Sequence, residues 1–124
     1  MGKITGFRDL HAWQKAHALA VEVYMFTKKF PPDERFGLTN QMRRAVVSVG
    51  SNIAEGYSRG TAKDKNHFYL MGRGSLSELE SQLLLARDLG YFKESEKIFG
   101  QIDDVGKLLV GLMKSSANRP YTTY

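Results

Sequence analysis

The chain has 124 residues, 42% of them hydrophobic and 25% charged, which suits one domain around one core and argues against a chain disordered throughout. It has no cysteine, so disulfides, thiolate metal sites and thiol nucleophiles are excluded, and a reducing cytoplasm is the expected setting. Eighteen Lys and Arg against thirteen Asp and Glu leave a net charge of +5, which favours acidic partners, nucleic acid among them.

Met1 to Arg8 lacks the apolar core of a signal peptide. No later apolar run approaches the ~20 residues of a bilayer span, so no membrane role is expected. The first helix is predicted over 9–29, with Asp9 as its cap. Ala12, Ala16, Leu19, Val23, Phe26 and Phe30 recur there at steps of three and four. A second stripe, Leu10, Trp13, His17, Ala20 and Tyr24, runs beside it. At about 100° per residue the two stripes cover roughly half the circumference. A four-helix bundle needs only one stripe per helix. Trp13, Tyr24 and Phe26 are therefore candidates for a subunit interface, with a wide contact inside the chain as the alternative.

Phe30-Pro31-Pro32-Asp33 ends this helix, because proline lacks the amide proton and restricts its predecessor. A second helix is predicted over 34–55, with Leu38, Met42, Ala45, Val49 and Ile53 on one face. Gly56 and Ser58-Arg59-Gly60 form the next break. The third helix is predicted over 62–89 and opens on a Thr61–Asp64 capping box. Its face is Tyr69, Gly72, Leu76, Leu79, Leu83 and Ala86, and Gly90 is placed as a left-handed cap. The fourth, over 94–115, carries Ile98, Ile102, Val105, Leu109 and Leu112. Gly100, Gly106 and Gly111 each cost it about 1 kcal/mol relative to Ala, so it depends on tertiary packing. Residues 116–124 read as a mobile tail. Strand-like alternation is absent at useful length. Long amphipathic helices with short connections predict one all-α domain over 1–124, an antiparallel up-and-down four-helix bundle.

Chemistry is sparse. A di-metal centre needs Glu-x-x-His pairs, and no such pair occurs; His11, His17 and His67 do not share i, i+4 spacing. No metal site or cofactor is expected. Gly72-Arg73-Gly74-Ser75 follows no strand and lacks the Gly-Lys ending of a phosphate loop, so it reads as small residues admitting a neighbouring helix. No triad signature appears, and no catalytic residue is predicted. Two polar clusters, Ser51 to Gly56 and Ser75 to Glu80, read as buried or half-buried contacts fixing register, with Glu55 or Glu78 paired to Arg43 or Arg44. A polar site between helices is the other reading. Lys28, Lys29, Arg35, Arg43, Arg44, Arg59, Lys63 and Lys65 are the candidates for contact with nucleic acid, through backbone charge with little base specificity.

Four groups of residues, in order over about 7–92, carry a resemblance. They are Phe7-Arg8-Asp9-Leu10 with Trp13-Gln14-Lys15, Phe36-Gly37-Leu38 with Gln41-Met42-Arg43-Arg44-Ala45, Ser51-Asn52-Ile53-Ala54-Glu55-Gly56, and Gly74-Ser75-Leu76-Ser77-Glu78-Leu79-Glu80. Together they resemble the 23S rRNA intervening-sequence protein family; the fourth helix matches only in general character. The resemblance implies an antiparallel four-helix bundle, a ring-like homopentamer and a bacterial cytoplasmic setting. It also implies a connection to RNA, because some family genes lie within inserted segments of the large ribosomal RNA. The accessory proteins of diversity-generating retroelements are similar, and those are basic pentamers that bind nucleic acid and a reverse transcriptase. The family supplies no catalytic residue. Asn52, Glu55, Gly56, Ser75 and Glu78 carry over as structural determinants. Two functional readings lead: a homo-oligomer that binds RNA or DNA, and a protein–protein adaptor. A small-molecule or metal-binding bundle is the third.

Overall fold

The computed structural model describes residues 3–93 and 96–117. Among these there are four α-helices and no strand: α1 (His11–Thr27), α2 (Leu38–Tyr57), α3 (Ala62–Asp88) and α4 (Glu96–Ala117). They form a four-helix bundle. Short 3-10 turns at Phe7–Asp9 and Pro32–Glu34 precede α1 and α2. The predicted tail does not begin at 116, since α4 runs through Ser116 and Ala117; positions 118–124 of that tail, and 94–95 of the predicted fourth helix, lie outside the described residues.

The helix starts differ from expectation for local reasons. Asp9 does not cap α1. Its carboxylate accepts from the Thr5 amide (2.8 Å), the Thr5 hydroxyl (2.9 Å) and the Gly6 amide (3.3 Å). It therefore closes the preceding turn, and α1 begins two residues later. At the far end the Thr27 hydroxyl donates back to the Val23 carbonyl at 2.7 Å. The second helix begins at Leu38 instead of residue 34, because the two prolines set up a turn first. Glu34 then reaches forward, and its Oε1 accepts the Leu38 amide at 2.9 Å. That satisfies one of the unpaired donors of the first helical turn.

Gly56 does not break α2, which continues to Tyr57. The glycine is buried where the Tyr69 ring crosses from α3. A Cβ at this position would lie 2.6 Å from Tyr69 Cε1 and 3.0 Å from the Lys65 carbonyl oxygen. The expected start and stop signals of α3 are both present. The Thr61 hydroxyl accepts the Asp64 amide at 3.1 Å. Gly90 has φ of 82°, with its amide bonded to Arg87 and that of Tyr91 to Ala86, as in a Schellman cap.

All four helices feed one core. Leu19 and Val23 from α1, Met42, Val49 and Ile53 from α2, Leu79 and Leu83 from α3, and Val105 and Leu109 from α4 are fully buried. Burial of one such side chain contributes about 1.5–3 kcal/mol, which compensates for the glycines of α4. The broadest pairing is α2 with α3. Gly72 admits α2 closely, with Asn52 Cβ and the Val49 carbonyl each 3.4 Å from where its Cβ would stand. Gly74, in contrast, faces open space and is no packing contact.

Candidate functional site

The basic residues do not form one patch. Lys28, Lys29 and Arg35 are exposed in the connection between α1 and α2, and Arg44 is exposed on α2 nearby. Arg43 is half-buried and pinned. Its Nε donates to the Thr27 hydroxyl at 3.0 Å, its Nη2 donates to the Tyr24 carbonyl at 3.2 Å, and the guanidinium stacks over the Tyr24 ring at 4.7 Å. Arg59 and Lys63 lie beyond the other end of α2, whose 20 residues span about 30 Å. Arg59 pairs with Glu55 at 2.7 Å and covers the Phe68 ring at 4.5 Å.

Lys65 is a correction. It is only 1% exposed, its Nζ donates to the Tyr57 carbonyl at 2.6 Å, and it lies over the Tyr57 ring. It holds the α2–α3 turn from inside and presents nothing to a phosphate. Sequence pattern hid this because its stem lies on the core side of α3, one turn before Tyr69.

The motif residues divide. Asn52 Nδ2 donates to the Ser48 carbonyl (2.9 Å) and Oγ (3.0 Å), and Ser48 and Ser75 hydroxyls meet at 2.9 Å. This half-buried chain joins α2 to α3. Glu55 and Glu78, expected as buried or half-buried partners of Arg43 or Arg44, are exposed instead. Glu55 takes Arg59, and Glu78 accepts from Gln82 at 3.3 Å. An exposed ion pair such as Glu55–Arg59 contributes about 0–1 kcal/mol.

The surplus aromatic surface of α1 also divides. Phe26 is half-buried and packs within the chain against Phe30 (5.7 Å) and Phe92 (4.7 Å). Trp13 is half-buried between Phe7, edge-on at 5.1 Å, and His17, stacked at 4.8 Å. It borders an open groove of about 410 Å³ between α1 and α2, lined also by His17, Ala20, Val47, Gly50 and Ala54. The groove passes Val47 into a second depression formed by Tyr24, Asn40, Arg43 and Arg44. Tyr24 remains 42% exposed there, and Val47 46%.

Glu34 and Tyr91 were not singled out by sequence. The Tyr91 hydroxyl donates to Glu34 Oε2 at 2.6 Å, joining the α1–α2 and α3–α4 connections. That bond, with the Leu38 amide second, holds the Glu34 carboxyl below the usual range, and the same bond raises the Tyr91 phenol above its own. The bonds from Thr5 likewise lower Asp9. Fifty-seven positions separate Glu34 from Tyr91, and only the fold brings them together. Among the described residues no three His, Asp or Glu gather in a metal-binding group, and no helix is long and apolar enough to cross a membrane.

A family model described as "23S rRNA-intervening sequence protein" matches residues 8–111. No curated protein matches the chain. Among solved structures, the chain is similar to a protein of unknown function from the S23 ribosomal protein family of Bacteroides thetaiotaomicron. The TM-score is 0.74 at 23% identity, covering 83% of this chain and 98% of that one. At such identity the likeness bears on the fold alone.

Proposed function

The chain belongs to the 23S rRNA-intervening sequence protein family, and from that premise we propose that it is a non-enzymatic, self-associating bundle that binds RNA through basic surface, with little base preference. The observation that carries this reading is the exposed set Lys28, Lys29, Arg35 and Arg44 where α1 gives way to α2, with Arg43 held beside it. Lysine and arginine at such positions attract phosphate whatever the base. Symmetric copies repeat the set and multiply the contacts. The non-enzymatic part is supported by Asp9, Glu34 and Tyr91, whose shifted acidity comes from hydrogen bonds that hold turns and helix ends.

The proposal includes antiparallel neighbours, assembly as a homopentamer and a cytoplasmic setting. Antiparallel α2 and α3 are supported by the contacts Ser48–Ser75, Asn52–Gly72 and Gly56–Tyr69, whose numbers rise on one helix as they fall on the other. Self-association is supported by the exposed Tyr24 and Val47. The absence of cysteine supports the cytoplasm.

Fluorescence anisotropy with a labelled structured RNA tests the main claim. Binding at ~50 mM salt should weaken at ~200 mM by about 10³-fold or more if six or more phosphates are contacted. Lys28→Ala with Arg44→Ala should flatten the salt dependence. No binding at ~50 mM salt, or affinity indifferent to salt, refutes RNA binding. The apolar α1–α2 groove favours the adaptor reading instead, and one stoichiometric protein that co-purifies after nuclease treatment would support it.

A further inference from the structure

Phe36 is 85% exposed, more than any other large apolar side chain among the described residues. A single exposed apolar residue by itself marks nothing. This one, however, stands on a braced turn between α1 and α2. The Arg35 amide donates to the Pro32 carbonyl (3.1 Å) and the Gly37 amide to the Glu34 carbonyl (3.0 Å). The Glu34 carboxylate ties the same turn to the Leu38 amide and the Tyr91 hydroxyl. The backbone that carries the ring is therefore ordered before any partner arrives, which lowers the cost of binding. One face of the ring is taken by Arg35, whose guanidinium carbon lies 5.3 Å from the ring centroid.

Among the described residues three arginines cover an aromatic ring. Arg43 spends its donors on Thr27 and Tyr24, and Arg59 pairs with Glu55. Arg35 makes no side-chain hydrogen bond or ion pair among the described residues, because both oxygens of Glu34 are engaged elsewhere and Asp33 does not reach it. An aromatic face open to water, beside a guanidinium with free donors and in the same connection as Lys28 and Lys29, supplies what a single strand of nucleic acid needs: a ring for the base and charge for the phosphate. We infer that Phe36 and Arg35 hold an unpaired nucleotide of the bound RNA, in a loop, a bulge or an end, with the base stacked on the open face of Phe36 and an adjoining phosphate on Arg35. This rests on the RNA binding proposed above and names the form of RNA that is taken. A paired base has both faces covered by its neighbours and must be unstacked before it can use the ring, so the contact serves unpaired stretches. Every base has a face to stack, so the contact adds no base preference.

Two labelled probes of one length, an unstructured single-stranded RNA and a blunt RNA duplex, test it by fluorescence anisotropy at ~50 mM salt. Phe36→Ala should weaken binding of the single strand by about 5- to 150-fold, the loss of one stacked base, and leave binding of the duplex unchanged. It removes no charge, so the slope of log affinity against log salt should stay the same, whereas Arg35→Ala should flatten that slope by about 0.7 for the single strand. Phe36→Trp should bind as the unmutated chain does, and its added indole should be quenched by the single strand and not by the duplex. The side chain is exposed, so helix content should persist by circular dichroism. If Phe36→Ala loses helix content, Phe36→Leu repeats that arm under the same criteria. A variant without the ring that binds the single strand as tightly as the unmutated chain, or that loses the duplex equally, overturns the stacking contact while leaving RNA binding standing. So does such a variant sedimenting as a smaller species than the unmutated chain, since Phe36 would then be a contact between copies. An unmutated chain that binds neither probe sinks both.

Discussion

Replacing Gly56 by alanine should destabilise the protein, although alanine is the better helix former. Gly56 lies inside α2, where glycine costs about 1 kcal/mol relative to alanine. Taken alone, that would make the substitution stabilising. The added methyl, however, would stand 2.6 and 2.8 Å from two carbons of the Tyr69 ring and 3.0 Å from the Lys65 carbonyl. Tyr69 is 1% exposed and has nowhere to swing, and the carbonyl is backbone. The helices must separate locally, and overpacking of this kind costs typically 1–3 kcal/mol, sometimes more. The net expectation is a loss of about 0–2 kcal/mol, in place of the gain that propensity alone would give. Gly111→Ala is the control, because nothing lies within 4 Å of its Cβ position, and it should gain about 0.5–1 kcal/mol. Urea titration at one fixed protein concentration reads both, since self-association would make the midpoint concentration-dependent. Equal and stabilising effects at the two positions would refute the close approach of α2 to Tyr69.

Lys65→Ala should cost about 2–3 kcal/mol, because it removes a buried stem and its hydrogen bond to the Tyr57 carbonyl; Arg44→Ala should stay within about 0.5 kcal/mol and weaken RNA binding instead. Chemical denaturation of both variants checks the contrast. Phe26→Ala should lower stability by about 2 kcal/mol, below the 3–5 of a fully buried ring, and should leave the sedimentation coefficient unchanged. Tyr91→Phe should be felt most between the ordinary glutamate and tyrosine pKa values. Glu34 is depressed by folding, so its contribution is full above the unfolded value and is lost as pH falls through the folded one. Tyr91 is raised, so its contribution is full below the unfolded value and is lost as pH rises through the folded one. Stability curves of the two proteins against pH should therefore converge at both extremes; a difference independent of pH would contradict the Glu34–Tyr91 bond.

Periodicity alone specified four helices, their core faces, the Thr61 and Gly90 signals and the all-α class, because these depend on residues within a few positions of one another. Three- and four-residue spacing makes a face, and one glycine with positive φ ends a helix. What a face meets is not a local property. Gly56 looked like a stop and is the seat of a ring from α3; Lys65 looked like surface charge and is an internal strut; Phe26 looked surplus and is closed over by Phe92. The Glu34–Tyr91 bond and the α1–α2 groove arise only once distant segments are placed side by side. Apolar spacing determines which side of a helix turns inward, and three-dimensional packing decides which residues on the other side remain free to meet a partner.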